Sequence, residues 1–190
     1  MAVHTRLIKR EISDILSVYR IGNLLNFSGI QEGIENTNYK IKTTNNYYIL
    51  TIFEERVNKK NLPFFLNLML NCSKKKICCP KPILDTSGKL TNNFKKKKIA
   101  LFSFLTGKSK KNWSEINCFD VGKTLGEFHT VNKSFKDKIS NEFGLVFWKE
   151  IFKKMDRFKL DSIIPGIHKL LKKELEIINH SWPKNLPKGI

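Results

Sequence analysis

The sequence has 190 residues, 41% of them hydrophobic, which suits one medium domain or two small lobes with a buried core. Its net charge of +18 would ordinarily suggest nucleic acid as partner, but only five of its 35 basic residues are arginines, the usual side chain for phosphate and base contacts. The charge is therefore weak evidence for nucleic-acid binding, and no segment approaches the ~18 apolar residues of a membrane span, so we expect a cytoplasmic protein.

The chain is predicted to begin with a short helix and then an antiparallel meander. Apolar residues at helical spacing predict an amphipathic helix that ends near Gly22, and these are Ile8, Ile12, Ile15, Leu16 and Tyr19. Aromatic and branched residues over 24–30, 36–43 and 47–53 predict three strands, separated by Gly33 and by a Thr-Asn-Asn turn at 44–46. Pro63 then marks the first turn of a helix. The apolar side of that helix is predicted to hold Phe64, Phe65, Leu68, Met69 and Cys72.

Further along the chain, strands give way to helices. The turn sequence DTSG at 85–88, between Ile83-Leu84 and Lys89-Leu90, predicts a hairpin, and 98–105 predicts another strand. From Ser114 a helix is predicted, with one apolar face formed by Cys118, Val121, Leu125 and Phe128. Two more helices are predicted at 146–160 and 166–180. The order indicates an α+β fold with a strand lobe at 1–105, containing about five strands and one inserted helix, and a helical lobe at 106–190.

Several familiar chemical motifs are incomplete in this sequence. Gly-Lys-Ser and Gly-Lys-Thr tripeptides begin at Gly107 and Gly122, but a Walker A loop needs a glycine five positions earlier, where Phe102 and Asn117 stand. The four cysteines and four histidines show no zinc-ligand spacing, and no Gly-x-Ser-x-Gly string occurs. The sequence therefore favours neither a P-loop, nor a zinc site, nor a serine hydrolase.

Six local strings carry a resemblance to a known family: GIENTNYKI, YYILTIFEERV, NLPFFLNLML, CPKPI, FSFLTG and VGKTLGEFH. In order and spacing they resemble the homoserine kinases of the aminoglycoside-phosphotransferase-like type, over essentially the whole chain. The resemblance implies a protein-kinase-like fold, with an antiparallel-sheet N-lobe and an incomplete helical C-lobe. It also implies transfer of the γ-phosphoryl group of ATP to the hydroxyl of L-homoserine, in threonine biosynthesis, with Mg²⁺.

The resemblance further implies two sets of nucleotide-binding residues. The loop between the first two strands would contribute Gly33, Asn36 and Asn38. The hinge strand beside adenine would contribute Ser103, Phe104 and Leu105. Where the wider fold has a lysine on the third strand, this chain has Thr51, and Arg56 is a hypothetical source of the missing positive charge.

In the family, a His-x-Asp-x-x-x-x-Asn loop and a later Asp supply the catalytic base and metal ligands, and both would follow Ile190. No catalytic or metal-binding residue is therefore assigned in this chain. We expect the chain alone to be inactive unless a separately encoded C-terminal half completes it. The alternatives left open are a kinase for choline or another small alcohol, a basic nucleic-acid-binding module and a non-catalytic partner protein.

Overall fold

The computed structural model describes residues 3–54, 58–108, 110–140, 144–183 and 185 of the chain. The chain divides into two compact units, Met1–Asp137 and Lys138–Gly189. The lobe boundary predicted after residue 105 stays a prediction.

The first unit opens with helix α1 (Lys9–Leu16), whose side chains Ile12, Ile15 and Leu16 are buried. The helix ends earlier than predicted, because a tight turn follows in which the backbone N–H of Tyr19 donates to the carbonyl of Leu16 at 2.9 Å. Tyr19 remains buried beyond that turn. Ile8, expected on the buried face, is 63% exposed because it occupies the N-cap position rather than the helix.

Six antiparallel strands form one sheet. They are β1 (Leu24–Ile30), β2 (Asn36–Thr43), β3 (Tyr47–Phe53), β4 (Pro82–Ile83), β5 (Asn92–Phe94) and β6 (Lys97–Ser103). The order is β1-β2-β3-β6-β4, and β5 also pairs with β6. The first three strands have the predicted bounds, so the meander is confirmed.

The later strands differ from the prediction. The turn at 85–88 forms, since the N–H of Gly88 donates to the carbonyl of Asp85 at 3.0 Å, but 89–90 is not a strand. The real hairpin joins β5 to β6 through Lys95 and Lys96, both with positive φ, of 44° and 65°. The strand predicted at 98–105 begins at Lys97 and ends at Ser103. It ends there because Ser103 pairs with Tyr48, the last residue of β3 that pairs with β6.

A helix packs on each face of the sheet. One face packs against α1 through a cluster that includes Ile41, Leu50, Ile52 and Leu101. The other face packs against helix α2 (Leu62–Lys74), which follows a 3₁₀ turn at Lys59–Asn61. The cluster between α2 and the sheet consists of Phe53, Leu62, Leu66, Ala100 and Phe102.

The buried stripe of α2 differs from the predicted one. Leu62 and Leu66, one turn apart, face the sheet, and Cys72 is also buried. Phe65, predicted on the apolar side, is 47% exposed. Phe64 lies beside this stripe, and its ring meets that of Phe135 at 5.8 Å in an edge-to-face arrangement.

Helix α3 (Glu115–Asn132) begins after Ser114, as predicted. Its predicted apolar face is not buried, since Val121 and Leu125 are 54% and 52% exposed. The one buried residue in this helix is Asn132, whose Oδ1 accepts from Nδ2 of Asn71 on α2 at 2.7 Å. A polar contact therefore joins the two helices.

The second unit contains α4 (Leu145–Lys154), α5 (Arg157–Ile163) and α6 (Ile167–Ser181). The single helix predicted at 146–160 is two helices, because the Asp156 carboxylate accepts from the N–H groups of Phe158 and Lys159 and so starts α5. The Phe152 ring stacks on His168 of α6 at 4.8 Å. Across the described ranges, no helix is long and apolar enough to cross a membrane.

Candidate functional site

One part of the sheet surface is left open by both covering helices. Along β2, side chains at 37, 39, 41 and 43 are buried towards α1, so those at 36, 38, 40 and 42 lie on the opposite face. On that face α2 covers β3 and β6 but leaves the surface over β1 and β2 accessible. We call this surface the open face, and define it by Ser28, Asn36, Asn38 and Lys40.

The loop that joins β1 to β2, residues 31–35, borders the open face and is exposed. Gly33 has a φ of +112°, a conformation that side-chain-bearing residues rarely adopt. A Cβ at this position would meet no atom within 4 Å, so the backbone here is approachable from outside. Exposed N–H groups in such a turn can approach an anion closely.

A segment near the N-terminus, residues 3–7, supports this loop, and we call it the N-terminal strap. The N–H groups of His4 and Thr5 both donate to Oγ1 of Thr37, at 2.9 and 3.0 Å. Nε2 of His4 lies 3.2 Å from the carbonyl oxygen of Ile34, which accepts a hydrogen bond when that nitrogen carries the proton. The strap therefore connects the loop to the first residues of β2.

A buried carboxylate anchors the strap. Oε1 of Glu54 accepts from the hydroxyls of Thr5 and Thr37, each at 2.7 Å, and the other oxygen pairs with the ammonium of Lys97. Burial raises the pKa of Glu54, but the hydrogen bonds from Lys97, Thr37 and Thr5 outweigh it and leave the pKa below its ordinary value. The carboxylate is therefore ionised at neutral pH.

Two predicted site residues, Asn38 and Thr51, are direct cross-strand partners on the same side of the sheet as the open face. The Thr51 hydroxyl donates to Oδ1 of Asn38 at 2.7 Å, and Thr51 is only 6% exposed. Thr51 thus orients Asn38 instead of presenting a charge.

Asn36 differs from Asn38 in its polar contacts. Its Oδ1 is buried and has no hydrogen-bond partner within the part of the chain that the structure describes. Buried acceptors are satisfied in almost all proteins, so this oxygen sets Asn36 apart from Asn38.

The three predicted hinge residues separate into two groups. The N–H of Ser103 donates to the carbonyl of Lys81 at 2.9 Å, and its hydroxyl accepts from the N–H of Lys81 at 2.8 Å. Ser103 therefore holds the chain just before β4 against β6. Phe104 instead lies beside Tyr47, with ring centroids 5.9 Å apart, and Leu105 is 42% exposed.

Sequence reasoning missed Lys40. Its ammonium lies 4.2 Å from the centroid of the Phe104 ring and 4.9 Å from that of Tyr47. Alternation along β2 from Asn36 and Asn38 would have placed it on the same face. Arg56, the hypothetical source of charge, lies outside the described residues.

The residues expected to bind a metal are not in this site. Over 3–54, 58–108, 110–140, 144–183 and 185, no group of three or more His, Cys, Asp or Glu side chains could hold a metal ion. No magnesium ligand is therefore assigned among these residues.

Sequence comparison gives one family and many relatives. Residues 26–190 match the profile of the phosphotransferase enzyme family. A homoserine kinase of Methylobacterium radiotolerans is 35% identical over 190 residues, which is 100% of this chain and 59% of that protein. A homoserine kinase of Rhodopseudomonas palustris is 36% identical over 191 residues, or 100% of this chain and 58% of that protein. The chain thus spans less than two thirds of the length of these relatives.

Solved structures agree on the fold. The structure of spectinomycin phosphotransferase in complex with ADP and spectinomycin matches with a TM-score of 0.62 at 16% identity, covering 95% of this chain and 60% of that one. An aminoglycoside phosphotransferase from Alicyclobacillus acidocaldarius matches with a TM-score of 0.59 at 11% identity, covering 93% and 55%. The α+β, protein-kinase-like fold predicted from the sequence is confirmed.

Proposed function

Because the chain belongs to the phosphotransferase enzyme family, we propose that it forms the nucleotide-binding part of a homoserine kinase, which transfers the γ-phosphoryl group of ATP to the hydroxyl of L-homoserine in threonine biosynthesis. The observation that carries this proposal is 33–36% identity to homoserine kinases along the whole chain. The cytoplasmic location expected from the sequence goes with this proposal.

The loop and the first residues of β2 are proposed to bind the phosphates. Phosphoryl transfer depends mainly on positioning and on charge stabilisation, so a supported loop that offers backbone N–H groups suits this role. Gly33 leaves room for the approach, and the N-terminal strap holds the loop from its other side. Asn36 is included at the start of β2 as a donor through its side-chain amide nitrogen, since its oxygen, like a phosphate oxygen, can only accept.

The hinge is proposed to bind adenine through Phe104 and Leu105. The N–H of Phe104 donates to the carbonyl of Tyr47 at 3.4 Å, which fixes the backbone just after β6. Ser103 takes part by holding the hinge to β4 rather than by touching the base. Thr51 is neutral, so phosphate charge has to be met elsewhere, and Arg56 stays the hypothetical candidate.

The catalytic base and the ligands for Mg²⁺ are expected in the His-x-Asp-x-x-x-x-Asn loop and the later Asp of the family. Among the described residues no cluster of metal-ligating side chains occurs. The role proposed for this chain's own residues is therefore to bind and orient ATP. Whether a longer transcript or a separately encoded half provides the rest is decided by sequencing past the codon for Ile190.

The proposal is tested in two steps. Calorimetric titration of the 190-residue chain with ADP should show binding, and absence of binding would contradict the nucleotide site. A chain extended through the His-x-Asp-x-x-x-x-Asn loop should then form ADP from ATP when L-homoserine is added. Choline serves as the control acceptor, and faster turnover of choline than of L-homoserine would favour the related small-alcohol kinase instead.

A further inference from the structure

We propose that Lys40 contacts the purine base of the nucleotide, with its ammonium over the face of the ring. This inference rests on the proposed function and adds to it a residue that sets affinity for the base.

The position of Lys40 in the sheet carries the first step. Lys40 pairs with Ser28 on β1 and with Ile49 on β3, and Ile49 pairs in turn with Phe102 on β6. This row lies two residues from the row of Asn38 and Thr51, on the side away from the loop. Two strand residues span about 7 Å, so Lys40 lies nearer the hinge than the proposed phosphate contacts do.

The direction of the side chain carries the second step. The Lys40 ammonium points to the hinge, where it lies over the rings of Phe104 and Tyr47 at 4.2 and 4.9 Å from their centroids. Among the described residues, no carboxylate forms an ion pair with it. Its attraction to these rings is electrostatic, because the face of an aromatic ring carries partial negative charge.

The chemistry of the ligand carries the third step. A purine bound against the hinge beside Phe104 offers a further aromatic face within reach of the same ammonium. The observed direction of Lys40 already brings its ammonium to the hinge, whereas contact with a phosphate would require it to turn back towards the loop. The base is therefore the part of the nucleotide that the observed conformation favours.

The experiment compares adenosine with ATP, each titrated into the 190-residue chain and into Lys40→Met. If Lys40 covers the base, the variant should lose about five- to tenfold in affinity for both ligands, a range typical of a partly desolvated cation–π contact. Lys40→Arg, which can also stack on a ring, should keep most of the affinity.

Lys42→Met is the matched control. Lys42 lies on the same strand and face, but its ammonium is 5.8 Å from the Tyr47 ring and the residue is exposed. This variant should stay within about twofold of the wild type for both ligands. The melting temperatures of Lys40→Met and Lys42→Met show whether either substitution disturbs the fold.

Each outcome decides between the two proposals. A loss for ATP with no loss for adenosine would place Lys40 at the phosphates and overturn the base contact. Equal affinities of Lys40→Met and Lys42→Met for adenosine would overturn it as well, while nucleotide binding by the wild type would leave the proposed function standing. If the wild-type chain binds neither ligand, the nucleotide site itself fails and Lys40 with it.

Discussion

The sheet and helix α3, both in the first unit, differ in how far their apolar side chains are buried. Among the described residues, every buried apolar side chain lies between Leu7 and Phe102. Helix α3 buries only Asn132, while its apolar residues Ile116 and Phe119 are 67% and 69% exposed. The same kind of amphipathic pattern thus leads to burial in one region and exposure in the other. Burial depends on what lies opposite a face, which the pattern itself does not specify.

The largest effect expected from this difference is on stability. Leu101→Ala removes a fully buried side chain between α1 and the sheet, and should lower the free energy of unfolding by about 2–5 kcal/mol. Leu125→Ala on α3, where the side chain is 52% exposed, should change it by less than about 0.5 kcal/mol. Urea unfolding of the two variants measures both. A loss at Leu125 equal to that at Leu101 would show that α3 packs its apolar face in solution.

The contrast also explains which parts of the fold could be predicted. The bounds of β1 to β3 follow from strand alternation and from turns with glycine or asparagine, which are local signals. The β5–β6 hairpin was missed because its turn uses two lysines at positive φ, without the residues that usually mark such turns. The apolar face of α3 was recognised, but its exposure was not, since burial is a tertiary property.

In the site, too, some features follow from the local sequence and others depend on tertiary contacts. Gly33 and Asn38 were predicted as site residues through a family resemblance and stay predictions, and alternation along β2 could have added Lys40. The contacts of Glu54 join residues 17 to 49 positions apart, so no local signal predicts them. Likewise, the sequence suggested a hinge role for Ser103 without indicating that its polar groups bind Lys81.

The second prediction concerns the buried ion pair of Glu54 in the sheet region, and whether water is excluded from it as it is from the apolar core. Glu54→Gln can keep the threonine hydrogen bonds but loses the ion pair with Lys97, and should cost about 1.5–3 kcal/mol at pH 7. Glu11→Gln is the control, because it removes a surface pair with Lys95, which is 62% exposed, and should lower the free energy of unfolding clearly less than Glu54→Gln does. Equal costs would show that water reaches Glu54.

The pH dependence of unfolding in acid provides a second, independent test of the Glu54 ion pair. Burial raises the pKa of Glu54, but the hydrogen bonds from Lys97, Thr37 and Thr5 outweigh it and hold the pKa below its ordinary value of 4.5 in the folded protein. Its stabilisation should therefore be present above pH 4.5 and be lost as the pH falls through the lower, folded pKa. Glu54→Gln should unfold with a shallower dependence on pH in that range, and an unchanged dependence would contradict the ion pair.

A smaller effect is expected at the contact that joins the two regions. Asn132→Ala removes the hydrogen bonds to Asn71 on α2 and to the carbonyl of Phe128, and should cost about 1 kcal/mol. Asn67→Ala, at an exposed position of α2, should have almost no effect. Hydrogen exchange should also rise in α3 of the Asn132 variant while the central strands keep their protection. Equal loss of protection in both regions would mean that α3 and the sheet unfold as one unit.

The smallest effect is expected at the exposed turn 85–88 of the sheet region. Its titration tests whether the hydrogen bonds of the turn form outside the buried core. The pKa of Asp85 is lowered from 3.8 to about 2, mainly by the backbone N–H of Lys89, and burial opposes this shift while Ser87 and Asn92 add to it. The turn should therefore be fully stabilised above pH 3.8 and weaken as the pH falls through about 2. Titration followed by carboxyl-carbon NMR should give a midpoint near pH 2 for Asp85. A midpoint near 3.8 would show that the hydrogen bonds of this turn do not form in solution.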